Sequence, residues 1–380
     1  MTNTVVASFA CMAAGVLGGS FSTPLTLGRS TWSWEATWLV YSVLAYAVFP
    51  WLAAVMTCPD LHAALAYVSR GVLTETACFG FLWGVGSQLF GVGIALLGNS
   101  LGFALILGLV ATVGSIVPLL ALHTREAAST QGVWNFAGLV LVIIGLKLVM
   151  QAATLKAEDD AASQKPLLAD FSGEGEGVRD SSSSEPLPQT EAKGTGDPAQ
   201  RAKGYAICLL SGVFSAALNF AASFGSDIAD AAAANGASAS MKDNAVWAVA
   251  MSAGAVPNIA FCCYLLCRNG TWGDLMLSGN GRTGSLGGCQ YLRSLAIAVA
   301  MAVLWFGGFV VYGAGTNFFP GSLGTVVGWP INMTTQIMVA NVSGVIGGEW
   351  RNARPRARSF MKGGLFVLVV AIVFIGMAGL

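Results

Sequence analysis

Ten apolar segments, each long enough to cross a lipid bilayer, constrain the fold of this chain more than any other feature. A transmembrane helix needs about 20 mostly apolar residues. The segments that meet this length are 5–27, 36–57, 72–96, 99–122, 133–152, 203–225, 244–267, 291–312, 320–346 and 360–380. Only 10% of the 380 residues are charged, against about 25% in a soluble domain. We therefore predict an all-α integral membrane protein with ten transmembrane helices.

One polar stretch divides these segments into two groups of five. Residues 153–202 hold ten acidic and five basic residues, a run of four serines and several prolines. Such a composition cannot bury a core, so we predict a disordered linker between a first half, 1–152, and a second half, 203–380. Because five is odd, the second half enters the membrane from the opposite side. Two halves of one fold would then be inverted repeats, as in many secondary transporters.

The orientation follows from lysine and arginine, which favour the cytoplasmic side of a membrane. They concentrate in the linker and in the loops after the first, seventh and ninth segments, and only Arg70, Arg125 and Lys242 fall on the other side. The linker is thus expected in the cytoplasm and both termini outside it, in the plasma (or inner) membrane. This topology places the glycosylation sequon Asn269-Gly270-Thr271 in the cytoplasm.

Several function classes are excluded or disfavoured. The formal net charge is zero, so no basic surface for nucleic acid is expected. The sequence contains no GxSxG, HExxH or P-loop motif, and the segments carry few titratable groups from which to build a catalytic pocket. The eight cysteines fall mostly inside apolar runs. We predict a transporter rather than an enzyme, with no cofactor and no metal site.

Amides and aromatic residues recur inside the apolar segments and are the candidates for binding substrate. Aromatic faces stack on the C–H side of a sugar ring while amides bond its hydroxyls, so the set predicts a site for a neutral monosaccharide. The alternative is hydrogen bonding between helices, worth about 0.6 kcal/mol each. Pro330 inside the ninth segment predicts a broken or kinked helix there. The candidate residues are Trp83, Gln88, Asn219, Asn258, Trp305, Tyr312, Trp329, Asn332 and Gln336.

Three acids are the candidates for carrying a coupled proton. Asp227 and Asp230 are three residues apart at the end of the sixth segment, so they share one helix face. If both are partly desolvated, one carboxylate raises the pKa of the other, which suits a proton carrier. Glu75, at the start of the third segment, is the third candidate. The alternative is that Asp227 and Asp230 are ordinary solvated loop acids.

The stretch "STWSWEATW", residues 30–38, holds three tryptophans around a carboxylate. We interpret it as an interfacial anchor that fixes the depth of the second helix in the bilayer. Ser33 or Thr31 is expected to cap that helix, with Glu35 near its positive end.

Motifs spread over nearly every segment resemble the L-rhamnose–proton symporter family, part of the drug/metabolite transporter superfamily of ten-helix carriers. These motifs are "WSWEATW" at 32–38, "FPWLAA" from 49, "FLWGVGSQLFG" at 81–91, "LGNSLGFALILG" at 97–108, "GVFSAALNFA" at 212–221, "DAAAANG" at 230–236 and "EWRNA" at 349–353. The resemblance implies sugar uptake coupled to protons. The chain departs from the family pattern in its long linker and at Ser87-Gln88, where an asparagine is expected.

Two alternatives to a proton-coupled sugar symporter stay open at this point. An exchanger of nucleotide sugars or sugar phosphates on the same fold would need a cation in its cavity, and the segments offer only Lys147, near a cytoplasmic end. A membrane sensor or scaffold that signals through the linker would use the serine-rich stretch, in which no partner motif is apparent.

Overall fold

A computed structural model describes residues 2–171 and 198–380 apart from 29, 98, 277–279, 282–283, 286–287, 321–322, 347, 349 and 352. The first half contains α1 (Thr2–Gly19), α2 (Thr23–Gly28), α3 (Trp34–Ser42), a π-helical segment (Val43–Val48), α4 (Phe49–Thr57), α5 (Leu61–Tyr67), α6 (Arg70–Leu97), α7 (Asn99–Leu122), α8 (Thr124–Ala127) and α9 (Thr130–Phe171).

The second half contains α10 (Pro198–Phe224), α11 (Ser226–Ala234), α12 (Asn244–Asn269), a 3-10 helix (Thr271–Leu275), α13 (Gly288–Thr316), α14 (Gly324–Ile346) and α15 (Pro355–Met377). Between the 3-10 helix and α13, β1 (Asn280–Gly281) pairs antiparallel with β2 (Gly284–Ser285). The ends of the predicted linker are thus helical in α9 and α10, while 172–197 lie outside the described residues.

The chain is a multi-pass membrane protein of the all-α class, and its small hairpin, β1–β2, lies in a loop. Within the described residues, nine helical spans are long and apolar enough to cross a membrane, and α14 is not among them. Its 23 residues extend about 34 Å, enough for a hydrocarbon core of about 30 Å. Polar residues lower the hydropathy of α14, and the helix can still span the membrane because these side chains are largely buried against other helices.

The two termini meet at one end of the bundle, which supports an even number of crossings. The Thr4 hydroxyl donates a hydrogen bond to the carbonyl of Gly379 at 2.9 Å. Nine crossings would place these residues on opposite sides, so α14 is the tenth span. We call the end that holds Thr4 and Gly379 the terminal end, and the opposite end, which holds Glu35 and Arg354, the linker end.

Helices of the first half pack mainly against helices of the second half. The main pairs are α6 with α10, α9 with α15, α6 with α12, and α1 with α13 and α14. Glycines permit the closest approach: a Cβ atom on Gly80 would lie 1.9 Å from the carbonyl oxygen of Ala250, and one on Gly84 would lie 2.4 Å from that of Gly254. Two backbones therefore touch where α6 crosses α12.

Of the break or kink predicted at Pro330, the break is absent, because α14 runs through this residue without interruption. Proline lacks the N–H that would bond the carbonyl four residues earlier, which here belongs to Val326. The Ser115 hydroxyl of α7 donates to that carbonyl at 2.7 Å. A side chain from a neighbouring helix thus replaces the missing backbone bond.

Residues 30–38 form a contact between the halves, and their role as an interfacial anchor stays a prediction. Trp32 is buried, with its ring 5.2 Å from that of Tyr291, whereas Trp34 and Trp38 are partly exposed and stacked on each other. The side chain of Ser33 makes no capping bond, so the prediction of a side-chain cap there is wrong. Its backbone N–H instead donates to Asp274 at 2.8 Å.

Glu35 completes this contact. Its carboxylate is buried and accepts hydrogen bonds from the Asn269 side chain at 2.9 Å and from the Thr271 hydroxyl at 2.7 Å. We call Ser33, Glu35, Asn269, Thr271 and Asp274 the linker-end clasp. It joins α3 of the first half to the end of α12 and the 3-10 helix of the second half.

Candidate functional site

The centre of the bundle holds a cluster of aromatic rings from four helical segments. Trp83 of α6 and Trp305 of α13 are stacked, with ring centroids 5.5 Å apart and planes at 23°. Tyr46 stands edge-on to both, at 4.9 Å from Trp83 and 4.8 Å from Trp305. The Tyr46 hydroxyl donates to that of Tyr41 at 3.3 Å. We call Tyr41, Tyr46, Trp83 and Trp305 the aromatic cluster.

Tyr41 and Tyr46 were missed by the sequence analysis, although the sequence contains a signal. Tyr46 lies in the π-helical segment Val43–Val48, which immediately precedes Phe49-Pro50. Because Pro50 cannot donate to the carbonyl of Tyr46, the helix has a reason to widen there. Single-turn π-helical segments inside α-helices are frequent at functional sites. A proline four residues after a tyrosine in an apolar segment could have identified this position.

A pair of amides lies one turn from the stacked tryptophans. The side chain of Gln88 donates a short hydrogen bond to the carbonyl oxygen of the Asn258 side chain, which also accepts from Ser87 at 3.2 Å. The Asn258 amide nitrogen donates to the carbonyl of Gly254 at 2.9 Å. Gly254 also makes room for the indole of Trp83, since a Cβ atom there would lie 2.5 Å from the ring. The structure therefore brings Trp83, Gln88, Asn258 and Trp305 together.

Asn219, Tyr312 and Trp329 form a second, fully buried group. The Tyr312 hydroxyl donates to the Asn219 oxygen at 2.7 Å, and the Asn219 nitrogen donates to the carbonyl of Gly114 at 2.8 Å. That carbonyl lacks a helical partner because Pro118 stands four residues later. Trp329 donates to the carbonyl of Val110 at 2.8 Å. Here the polar atoms form hydrogen bonds between helices, which is the alternative to substrate binding given for these residues above.

Asn332 and Gln336 form a third group, on the side of α14 that faces α1. The Gln336 nitrogen donates to the Asn332 oxygen at 3.3 Å. A Cβ atom on Gly18 of α1 would lie 2.9 Å from the same nitrogen. This pair bonds within one helix turn and leaves Gln336 partly exposed.

The predicted proton carriers lie at the terminal end and are exposed. Asp227, Asp230 and Glu75 all have exposed side chains, so the partial desolvation that the prediction needed for Asp227 and Asp230 is absent. Asp230 forms an ion pair with Lys242 at 2.7 Å. Asp227 lines an open cavity of about 450 Å³ with Tyr67, Ser69 and Asn235. A role for these acids in coupling stays a prediction.

The site's chemistry suits an uncharged polar ligand. Stacked indole faces can cover the apolar side of a sugar ring, and the amides of Gln88 and Asn258 can exchange their mutual bond for bonds to hydroxyls. Among the described residues, no lysine or arginine side chain is buried, and Lys147 is exposed. An anionic ligand would therefore find no compensating charge here.

Comparison with known proteins identifies the family. The family model described as L-rhamnose-proton symport protein matches residues 1–165 and 194–379. The chain belongs to this family. It is accordingly a secondary transporter and not an enzyme, as the sequence analysis predicted.

Curated members of the L-rhamnose-proton symport protein family are similar over most of the chain. The L-rhamnose-proton symporter of Escherichia coli O1:K1 / APEC is 24% identical over 351 residues, which is 91% of each chain. Those of Klebsiella pneumoniae subsp. pneumoniae and Shigella flexneri are 25% and 24% identical over the same length and share. The match to the L-rhamnose-proton symport protein family thus extends across both halves of the bundle.

Proposed function

We propose that this chain takes up a neutral, rhamnose-like monosaccharide together with protons by alternating access. The observation that carries the proposal is the stacked Trp83 and Trp305 beside the Gln88–Asn258 amide pair, in a transporter whose relatives are named L-rhamnose-proton symporters. One proton moving down about 100 mV supplies about 2.3 kcal/mol. Tight coupling would then support roughly 40-fold accumulation of sugar.

The helix contacts support an arrangement of two inverted five-helix repeats. In such an arrangement α1 corresponds to α10, α6 to α13 and α7 to α14. Exchanging the halves then converts the contact of α1 with α13 into that of α10 with α6. It likewise converts the contact of α1 with α14 into that of α10 with α7. The two helices of each of these four pairs are in contact. The pairs α7 with α14, α9 with α15 and α4 with α12 map onto themselves and are also in contact. Such a relation would allow rocking of one repeat against the other around a central site.

We further propose that the linker end faces the cytoplasm of a plasma (or inner) membrane. Exposed arginines at that end, Arg268, Arg293, Arg351 and Arg358 among them, support this orientation. An impermeant maleimide added to intact cells should leave the exposed Cys289 at the linker end unlabelled. It should label a cysteine introduced at the exposed Ser238 of the terminal end. Labelling of Cys289 in intact cells would show that the linker end faces outward, opposite to the proposed orientation.

The test of function is uptake into proteoliposomes. L-rhamnose and other monosaccharides are supplied with and without an inward proton gradient, and internal acidification is followed with a pH-sensitive dye. We expect saturable uptake of at least one neutral monosaccharide, with matching acidification. Exchange of nucleotide sugars or sugar phosphates without any proton movement would instead support the exchanger alternative and refute symport.

Removing one indole of the stack tests the site. Trp83→Ala should raise the KM for sugar about tenfold, equivalent to about 1.4 kcal/mol, because one of the two stacking faces is lost. The matched control is Trp134→Ala, which removes a partly buried indole that packs on Phe374 in α15, away from the cluster. Equal KM values in the two variants would place the sugar elsewhere.

A further inference from the structure

A carboxylate that is not among the predicted proton carriers lies at the terminal end, between α11 and α12. Asp243 precedes the first residue of α12, and its oxygen Oδ2 faces α13. It accepts a hydrogen bond from the Asn317 side chain at 2.8 Å and a longer one from the Thr316 hydroxyl at 3.5 Å. Both donors belong to the end of α13, so this carboxylate binds within the second half of the protein.

The space around Asp243 exists because Gly313 has no side chain. A Cβ atom there would lie 3.2 Å from Oδ2 of Asp243 and 3.2 Å from the indole nitrogen of Trp247. Asp243 and Trp247 are one helical turn apart and face the same patch of α13. The patch therefore brings a carboxylate and an indole N–H close together.

The indole nitrogen of Trp247 provides a second, independent observation. Trp247 is fully buried, and among the described residues its N–H has no hydrogen-bond partner. A buried donor left unpaired costs about 1–3 kcal/mol. The nearby oxygen of Asp243 is an acceptor that this N–H could reach after a small movement.

Several charged and titratable groups surround Asp243. Lys242 precedes it in the chain and pairs with Asp230 of α11. Tyr312 of α13 interacts with Asp243 and also with Cys11 of α1. Burial of the carboxylate raises the pKa of Asp243 from 3.8 to about 6, and Lys242, Asn317 and Thr316 limit the rise because they favour the charged form. The exposed Asp227, Asp230 and Glu75 lack this enclosure.

A continuous line of ring contacts joins this patch to the aromatic cluster. Trp247 contacts Phe309 at 5.3 Å between ring centroids, Phe309 contacts Trp305 at 4.5 Å, and Trp305 stacks on Trp83. A change in the position of Trp247 would therefore be transmitted to the rings that we propose hold the sugar.

We propose that Asp243 is the group that binds the transported proton. The inference rests on the proposed proton-coupled symport. A proton from water on the terminal side bonds to Oδ2 and converts the carboxylate to a neutral carboxyl group. The neutral group can be enclosed when the terminal end closes, whereas a buried unpaired charge would oppose closure. The proton is released to water when the opposite side opens.

The test compares proton movement with sugar exchange in proteoliposomes that contain the full chain. Wild type must first show sugar-dependent acidification; if no monosaccharide produces it, the proposed symport fails and this inference fails with it. Asp243→Asn, which mimics the neutral state, should lose acidification and accumulate sugar only to a ratio of about one, against roughly 40-fold for a tightly coupled carrier at about 100 mV. Its sugar-for-sugar exchange should stay within about twofold of wild type.

Asp60→Asn is the matched control, because Asp60 is an exposed terminal-end aspartate that caps α5 through the N–H of Ala63. Asp230→Asn decides between the two carboxylates. If Asp243→Asn keeps full acidification, the inference is overturned while symport stands. Loss of acidification in Asp230→Asn alone would assign the proton to Asp230.

A second variant keeps the inference testable if Asp243→Asn fails to fold. Asn317→Ala removes a hydrogen bond that favours the charged carboxylate, so the pH at which uptake is half-maximal should move upward. Asn235→Ala removes another terminal-end amide, which bonds the carbonyl of Ala231, and should leave the midpoint in place. Identical midpoints in wild type and Asn317→Ala would contradict a role for Asp243.

Discussion

The terminal end and the linker end of the bundle each enclose a carboxylate, but the two groups are held differently. Glu35 at the linker end belongs to the first half and accepts its bonds from Asn269 and Thr271 of the second half. Asp243 at the terminal end bonds only Asn317 and Thr316, from its own half, among the contacts described for it. One carboxylate fastens the halves together, whereas the other can change its charge without separating them.

This difference indicates that the two ends have different roles in transport. A transporter that alternates access must break contacts at one end as the other closes. The linker-end clasp consists of partly buried, charge-assisted hydrogen bonds between the halves, and such bonds are among the stronger ones in proteins. The arrangement is therefore one in which the linker end is closed and the terminal end contains the group that responds to protons.

The largest expected effect concerns the clasp. Glu35→Ala should lower the free energy of unfolding by about 3 kcal/mol, because two hydrogen bonds from the second half to a buried, charged acceptor are lost at once. Asp243→Asn should cost about 1 kcal/mol or less, since an amide oxygen still accepts from Asn317. Thermal unfolding in detergent, followed by tryptophan fluorescence, measures both. Equal losses in the two variants would remove the distinction between the ends.

The next effect is the pH dependence of uptake by the wild-type protein. The pKa of Asp243 is raised by burial to about 6, so the group is neutral below that pH and charged above it. Uptake that requires the neutral form should be high at pH 5 and fall as the pH on the terminal side rises through 6. It should be roughly 50-fold lower at pH 8 than at pH 6, since each pH unit above the pKa reduces the neutral fraction about tenfold.

The pH on each side of proteoliposomes of known orientation can be set separately to measure this. The linker-side pH is held at 7.5 while the terminal-side pH varies. A midpoint near pH 4, the usual range of a solvent-exposed carboxylate, would contradict the assignment of the proton to Asp243. A midpoint that follows only the linker-side pH would move the proton site to the other end.

The fold was predictable from sequence to a large extent, because the length and hydropathy of a membrane helix are local properties. Even α14, the least apolar span, was included among the predicted segments. The helix is not broken at Pro330, the first of the two outcomes predicted there, and the hydrogen bond that replaces the missing one comes from Ser115, which is distant in sequence and close only after folding. Contacts of this kind leave no local pattern.

The candidate site was predictable only in part for the same reason. Aromatic and amide residues inside apolar segments identified Trp83, Gln88, Asn258 and Trp305, which the structure brings together. The same rule also selected Asn219, whose bond to the carbonyl freed by Pro118 is structural. Asp243 was missed because it stands just before a predicted span beside Lys242, where an acid resembles a solvated loop residue. Its enclosure depends on Gly313 and Asn317, about 70 positions later in the sequence.

The smallest expected effect concerns the hydrogen bond between the halves at the terminal end. Asn244 of α12 donates to the hydroxyl of Thr57 at 3.2 Å, and both groups are neutral. Thr57 also donates to the carbonyl of Ala53 at 2.7 Å, so it keeps a partner when Asn244 is removed. Asn244→Ala should therefore cost about 0.5–1 kcal/mol, well below the cost of Glu35→Ala in the same unfolding assay.

The same variant should ease opening of the terminal end, because one of the contacts between the halves there is lost. A cysteine introduced at Gly313, which is enclosed by Asp243 and Trp247, would report this as faster labelling by an impermeant maleimide in Asn244→Ala than in the parent. The matching comparison uses Glu35→Ala, where labelling of the same position should slow as the linker end opens instead. If Asn244→Ala destabilised the protein as much as Glu35→Ala and left labelling unchanged, the terminal end would be the fixed end, and the roles assigned to the two carboxylates would have to be exchanged.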